Sequence, residues 1–354
     1  MRVQSVLLSS LSLLVLAGVS QADGGPQHKV KQAPPVKMGT SGGSKNDKSA
    51  FYCCGGTLGS LVRRDGVLSI LSNNHVLGRS GVAVAGEDTV QPALIDTGCN
   101  AANSNIVGDY AGNLVPLGTA NVDAAISTAR SNVDASGAIL DIGVPISAVQ
   151  APAINLNVMK SGRTTGFTTG KIKTINTTVT VQYQKGCGVG QKFYTTFTQQ
   201  IVTTNMSAGG DSGSLLVSND GTPNPVGLLF AGNSTSTVHN RASAVVSAFS
   251  AGGHTFSFVG TASDVEPTSP PGLLTPSDEA IAKVIQVQFE HEAELMRRAN
   301  VIGVGIGADE NDPTQAVLVV YIVLPDANEP APTFPSSIDG VPVRVELTDP
   351  FVAQ

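Results

Sequence analysis

Short apolar or alternating runs, separated by turns rich in Gly, Asn and Asp, dominate the chain from residue 51 to about 259. Alternation over a few residues is the pattern of half-buried strands, and long amphipathic helical patterns are missing from this part of the sequence. Many short strands with turn signals between them are typical of antiparallel barrels or sandwiches. The sequence therefore predicts a mainly β fold, with strands that include 57–62, 67–71, 82–85, 124–127, 177–184 and 193–203.

A different pattern begins after a Pro- and Ser-rich stretch at 261–274, which predicts a linker. The tetrapeptide Thr-Pro-Ser-Asp at 275–278 supplies an N-cap, a proline at the first helical position and an acidic first turn. Apolar residues then recur at helical spacing up to Leu295, and strand-like runs follow at 301–306, 316–323 and 341–347. The sequence predicts a small α+β C-terminal domain over 275–354, whose role it does not indicate.

The glycines at 303, 305 and 307 in this region resemble a phosphate-binding loop. Such a loop lies between a strand and the helix that follows it. Here the glycines come after a predicted helix and within a strand-like run, so a glycine-rich strand is the expectation.

The N-terminal residues predict export. An apolar run at 6–18 follows Arg2 and precedes Ala22, which is the order of a secretory signal peptide over 1–22. The run is too short to span a bilayer, for which roughly 20 residues are needed. Residues 23–50 are rich in Gly, Pro, Lys and Ser, and we expect a flexible leader there. The expected location is extracellular or periplasmic.

Composition limits the partners. Charged residues make up 14% of the chain, against about 25% in an average protein. The net charge of −6 comes without a basic cluster, which argues against nucleic acid as a partner. A membrane surface has no support either, and we expect a monomer.

Four cysteines, Cys53, Cys54, Cys99 and Cys187, suggest two disulfides in an oxidising compartment. A pairing of the two neighbours would be strained, and the sequence does not distinguish between the other two pairings. A zinc site is the competing interpretation. It is disfavoured because the neighbours lack C-x-x-C spacing and no histidine pair lies near them.

The strongest local motif is Gly-Gly-Asp-Ser-Gly-Ser at 209–214, in which Ser212 stands in a glycine-rich turn. Glycines permit a tight turn that leaves backbone N–H groups free to meet a substrate oxygen. A serine hydroxyl is a weak nucleophile until a base removes its proton. A histidine must therefore lie close to it in the fold.

His75 suits that role best, because it directly follows an apolar strand. A carboxylate that orients the imidazole is also required, and Asp123 enters an apolar strand in the sequence Asn-Val-Asp-Ala-Ala-Ile. Spacing alone would also allow Asp109, Asp134 or Asp141, and the context favours Asp123. The other histidines, in less suitable surroundings, are His28, His239, His254 and His291.

Together these motifs resemble those of the chymotrypsin-like serine proteases over about 51–250. The matching segments are Cys-Gly-Gly-Thr-Leu at 54–58, Asp-Ala-Ala-Ile at 123–126 and Gly-Asp-Ser-Gly at 210–213. Lys-Ser-Gly-Arg-Thr-Thr-Gly at 160–166 resembles the bacterial streptogrisin and α-lytic protease branch. Val76 and Ala208 stand where the family has cysteines, so its usual disulfides are missing or rewired.

The resemblance implies a fold of two six-stranded antiparallel barrels with the triad His75, Asp123 and Ser212 at their junction. It implies a secreted serine endopeptidase that works through an acyl-enzyme and needs no metal or organic cofactor. Backbone N–H groups of Gly210 and Ser212 would form the oxyanion hole. The alternative is a catalytically silent or inhibited protease-fold binding protein with an adhesive C-terminal domain.

Two further expectations follow from the resemblance. The substrate pocket would comprise Met206, Phe230, Ala231 and Gly232, which favours a medium-sized apolar side chain before the scissile bond. Asp211 would form a buried ion pair with Arg163, so that the site is ordered without cleavage of a precursor. The C-terminal domain, beyond its linker, is expected to play no part in the chemistry.

Overall fold

The computed structural model of the protein describes residues 26–118, 121–263, 265–323 and 332–354. The expected signal peptide lies outside these residues. Two curled β-sheets dominate the described chain, which confirms the mainly β class predicted from the alternating runs.

The first sheet holds most of the N-terminal half and encloses a core around Leu61, Ile70 and Ile126. Its strand order is β14-β3-β4-β7-β6-β5-β1-β2. Only Gly59 separates β2 from β3 in the sequence. The edge of the sheet formed by β2 therefore lies close to β3, near the opposite edge. The bounds are β1 Thr40–Ser44, β2 Gly56–Leu58, β3 Ser60–Arg64, β4 Val67–Ser72, β5 Asp88–Gln91, β6 Asn105–Leu114, β7 Ala125–Ala129 and, from later in the chain, β14 Phe256–Phe258.

Six strands of the second sheet close a barrel, because β9 pairs with both β8 and β10. Between them the order runs β10-β13-β12-β11-β8. The long hairpin of β9 and β10 extends beyond the barrel toward the first sheet. The bounds are β8 Asn157–Gly162, β9 Gly166–Gln184, β10 Lys192–Thr204, β11 Leu215–Ser218, β12 Pro225–Gly232 and β13 Ser236–Arg241.

Helices are few. The short helix α1 spans Asn74–Leu77 and follows β4, while α2 spans Ala242–Ser250 and follows β13. The third helix, α3, spans Asp278–Leu295 and begins with Ser277 as its N-cap, whose hydroxyl accepts from the N–H of Ala280 at 3.2 Å. No described helix is long and apolar enough to cross a membrane.

The C-terminal part has the predicted helix and strands, and its strands continue the second sheet. Strand β15 pairs with β9, β16 with β15, and β18 runs parallel to β16. The glycine-rich run is a strand, as predicted. The bounds are β15 Val301–Ala308, β16 Ala316–Val323, β17 Ser337–Ile338, β18 Val341–Thr348 and β19 Phe351–Ala353.

Two local predictions are wrong. Much of the expected flexible leader is folded, because β1 belongs to the first sheet and both Val36 and Met38 are fully buried. A few apolar side chains spaced among Gly, Pro and Lys are enough to fix this segment to the core. The strand expected at 82–85 is a turn, and Val82 and Val84 are exposed there. The strand lies slightly later, at β5.

Two disulfides join elements that are distant in sequence. Cys53 pairs with Cys99 and Cys54 with Cys187, which selects one of the two pairings that the sequence left open. The second bridge fixes the tip of the β9–β10 hairpin to the first sheet. All four cysteines are used, so the competing zinc interpretation loses its ligands.

Candidate active site

The cleft between the two sheets brings His75 and Asp123 together. His75 lies in α1, directly after β4, and Asp123 lies just before β7, which pairs with β4. The Nδ1 atom of His75 is 2.6 Å from Oδ2 of Asp123, and the carboxylate is fully buried. The contact fixes the imidazole with Nε2 turned toward the cleft.

A hydrogen-bond network holds Asp123 in place. Its Oδ1 accepts from the backbone N–H of His75 at 3.2 Å, and its Oδ2 accepts from the hydroxyl of Tyr183 at 2.8 Å. Its backbone N–H donates to Oδ1 of Asn240 at 3.0 Å, and its carbonyl accepts from Asn73 at 2.7 Å. Tyr183 comes from the β9–β10 hairpin, and no local pattern in the sequence relates residue 183 to residue 123.

The electrostatics suit a general base. Burial is the largest single effect on the pKa of His75 and lowers it, but the charge and hydrogen bond of Asp123, together with smaller contributions, raise the pKa above that of an ordinary histidine. The carbonyl of Gln354 and the charge of Asp47 act in the same direction. Burial beside Asp123 raises the pKa of Tyr183 well above its usual range, so this hydroxyl stays protonated and donates.

Ser212 lies in the turn between β10 and β11 and is fully buried. Its Oγ donates to the carbonyl of Phe230 on β12 at 3.2 Å. Its own carbonyl accepts from the N–H of Thr57 at 2.8 Å, which ties the turn to the first sheet. The serine therefore stands at the junction of the two sheets.

The turn before Ser212 contains a glycine in a left-handed conformation. Gly210 has φ +100°, and a Cβ there would lie 2.5 Å from Nη1 of Arg163, so only glycine fits. The carbonyl of Gly209 accepts from Thr164 Oγ1 at 2.7 Å, and the N–H of the same planar trans peptide points the opposite way. Within the described chain, the N–H groups of Gly210 and Ser212 make no hydrogen bond.

The predicted Arg163–Asp211 ion pair is wrong. Asp211 is fully buried and its Oδ2 lies 3.3 Å from Nζ of Lys160, which is fully buried too. The loop at 164–165 adds backbone and hydroxyl donors to the same carboxylate. Lys160 lies on the same face of β8 as the fully buried Val158, two residues earlier, so its side chain points inward.

Arg163 makes a different ion pair. Its Nε and Nη2 donate to the two carboxylate oxygens of Asp96, both at 2.7 Å. Asp96 also accepts from the hydroxyl of Ser41 on β1 at 2.5 Å. Arg163 therefore links the loop between β8 and β9 to Asp96, and through Asp96 to Ser41 in the folded part of the leader.

The four expected pocket residues divide into two sets. Phe230, Ala231 and Gly232 meet the cleft through their backbone, while the ring of Phe230 packs on Phe197 at a centroid distance of 4.9 Å. Met206 is buried in a separate apolar cluster below the turn. The structure thus gives Met206 a packing contact rather than a wall of the cleft.

The chain's own last residues lie in the cleft. Strand β19 pairs with β12, and the carbonyl oxygen of Gln354 is 3.2 Å from Nε2 of His75. The C-terminal part, which the sequence predicted to play no part in the chemistry, therefore reaches the site. The Pro-rich stretch suggested separation, but β15 joins β9 and leads the chain back to the cleft.

Beyond Gln354 the cleft continues as a cavity of about 190 Å³, lined by His75, Gly55, Arg79 and the Cys54–Cys187 bridge. Asp47 lies in its wall, and burial raises the pKa of Asp47 to about 6 in spite of the nearby cations.

The other candidate residues serve elsewhere. Asp109 pairs with Arg130 on the surface, and Asp141 pairs with His28. The remaining contacts link Asp134 to Ser136, His239 to Thr203, His254 to Asp65 and His291 to Asp339.

No family model matches the chain, and no curated protein matches it. Solved structures do. The chain is similar to a serine protease specific for glutamic acid, described as using a histidine triad in substrate binding, at 20% identity and a TM-score of 0.44, covering 63% of this chain and 100% of that one.

The solved structures that this chain resembles are bacterial chymotrypsin-like serine proteases. Protease A of Thermobifida fusca matches at 20% identity and a TM-score of 0.42, covering 64% of this chain and 98% of that one. An α-lytic protease homologue, N4, matches at 16% identity and a TM-score of 0.40, covering 65% of this chain and 98% of that one.

Proposed function

We propose that the protein is a secreted serine endopeptidase with Ser212 as nucleophile, His75 as general base and Asp123 as the orienting carboxylate. The observation that carries the proposal is the buried 2.6 Å contact between His75 and Asp123 beside the glycine-rich turn of Ser212. The Nε2 atom of His75 points into the cleft, where it lies 3.2 Å from the backbone oxygen of Gln354. An imidazole oriented in this way by a buried carboxylate can remove a proton from a serine hydroxyl once the Gln354 oxygen has left Nε2.

The reaction runs in two halves. His75 takes the proton of Ser212 as its oxygen attacks the peptide carbonyl, and then gives that proton to the leaving amine. Asp123 stabilises the imidazolium that forms between these steps. The unpaired N–H groups of Gly210 and Ser212 would bind the oxyanion, at about 3 kcal/mol per donor. Water then cleaves the acyl-enzyme with His75 again as base.

Secretion and specificity belong to the same proposal. Two disulfides suit an oxidising compartment, extracellular or periplasmic. The backbone of Phe230, Ala231 and Gly232 would pair with the substrate, and a medium-sized apolar side chain before the scissile bond is expected. A library of peptide substrates measures this preference, and cleavage mainly after Lys or Arg would contradict it.

The decisive test compares wild type with Ser212→Ala and His75→Ala on peptide or ester substrates. Each variant should lose nearly all turnover while keeping the circular dichroism spectrum and melting temperature of a folded protein. His254→Ala is a matched control, because His254 contacts an aspartate on the exposed surface. Full turnover in either site variant would refute the triad.

The alternative is a protease-fold binding protein without turnover. A fluorophosphonate, which reacts with an activated serine, separates the two functions. A binding scaffold would stay unlabelled under conditions in which a protease becomes labelled at Ser212.

A further inference from the structure

The last four residues lie in the cleft in a defined register. Antiparallel pairing sets Val352 opposite Gly232 and Ala353 opposite Ala231. The N–H of Gln354 then donates to the carbonyl of Phe230 at 3.2 Å. The segment thus adds as a strand to the edge of β12, as extended peptides bind to exposed sheet edges.

The other edge of the segment is also paired. Phe351 and Val352 run parallel to Val181 and Gln182 of β9. The segment therefore fills a slot between β12 and the long hairpin, and a peptide that binds in the slot would have both of its backbone edges satisfied.

The segment ends at the reacting groups. The carbonyl of Gln354 contacts Nε2 of His75, and the carbonyl of Phe230 accepts both from Gln354 and from the hydroxyl of Ser212. A Cβ at Gly232 would lie 2.5 Å from Nε2 of the Gln354 side chain, so this side chain packs directly against the β12 backbone. The cavity lined by Gly55 lies on the far side of Gln354.

Contacts outside the slot hold the segment there. Phe351 is 1% exposed and its ring meets Tyr321 edge-on at a centroid distance of 5.8 Å. Just before it, Nδ2 of Asn233 donates to Thr348 Oγ1 at 2.7 Å and to the carbonyl of Asp349 at 2.8 Å. These anchors lie outside the catalytic groups and bring Gln354 to them.

We propose that residues 351–354 occupy the groove for the acyl half of the substrate, so that the protein inhibits itself. The inference rests on the proposed protease function. A substrate must displace this segment, and an extended peptide with an aromatic residue four positions before the cleaved bond fits the same slot. Gln354 takes the position of the residue before that bond.

A shortened variant that ends at Val352 tests the proposal. It keeps the Phe351 anchor and removes Gln354, whose backbone oxygen contacts His75. The rate constant for labelling of Ser212 by a fluorophosphonate should rise about tenfold if the segment is bound in nine molecules of ten. The free-acid peptide Phe-Val-Ala-Gln should then slow the labelling of the shortened variant, and the reversed peptide Gln-Ala-Val-Phe should not.

A second variant keeps the chain length. Gln354→Pro removes the N–H that donates to Phe230, whereas the matched Gln354→Ala keeps it. Labelling should be faster in the proline variant than in the alanine variant, and this comparison carries the test if the shortened chain fails to fold. Folding of each variant is checked by its melting temperature.

The outcomes separate the two proposals. If full-length and shortened proteins are labelled at the same rate, self-inhibition is overturned and the protease function stands. If neither is labelled and neither hydrolyses peptides, the protease function fails, and self-inhibition fails with it.

Discussion

Replacement of Lys160 by methionine tests how the fold holds Asp211, the residue next to Ser212. Lys160 and Asp211 are both fully buried, with 3.3 Å between Nζ and Oδ2. Loss of one partner of a buried pair costs about 3–5 kcal/mol, because the other charge stays buried and unpaired. Four more donors reach Asp211, from Thr164, Thr165 and Ala208, at distances of 2.7 to 3.2 Å. These donors still stabilise the negative charge of Asp211 when Lys160 is replaced. We therefore expect the free energy of unfolding to fall by about 3 kcal/mol, the lower end of that range.

Urea unfolding of wild type and Lys160→Met measures this cost, and kcat/KM on a peptide substrate measures its effect on the site. We expect kcat/KM to fall at least about tenfold, because Asp211 fixes the turn that carries Ser212. Lys171→Met is the matched control, since Lys171 is exposed on β9 and should change neither quantity. An unchanged stability in Lys160→Met would refute the assigned role of the pair.

A double-mutant cycle with Asp211→Asn strengthens the result. If Lys160 acts through Asp211, the double variant should be less destabilised than the sum of the single variants, by about 1–3 kcal/mol. Additive effects would mean that Lys160 contributes only through packing.

Three further predictions concern the groups around the site. Tyr183→Phe should lower kcat about tenfold with little change in KM, because Asp123 loses its 2.8 Å donor, and an unchanged kcat would exclude a positioning role. Activity should fall as the pH drops through the pKa of His75, because the proposed base must be neutral. That pKa is raised above 6.5, so the fall in activity should be centred above pH 6.5. A fall centred below pH 6.5 would contradict the raised pKa. Arg163→Lys should be less stable than wild type by about 1–2 kcal/mol in urea unfolding, since an ammonium cannot match the two-pronged contact with Asp96, whereas equal stability would mean that the pair is not structural.

Local pattern was enough for the class of fold and for the elements of the C-terminal part. Alternation of apolar and polar residues has the period of a strand, and the capped apolar repeat before Leu295 has the period of a helix. The glycine-rich run was likewise assigned to a strand from its neighbours alone. Local context also selected His75 and Asp123 from five histidines and several aspartates, and these two side chains are in contact in the structure.

Contacts between distant segments were decided by the tertiary structure alone. Asp211 pairs with Lys160 rather than with Arg163. Asp123 accepts a hydrogen bond from Tyr183 near the tip of the hairpin, and Gln354 contacts His75. Residue type and spacing limit which kinds of group a side chain can bind, but the chain contains several groups of each kind. The choice among them depends on which strands become neighbours, and that is set by closing the barrel and burying the whole core at once.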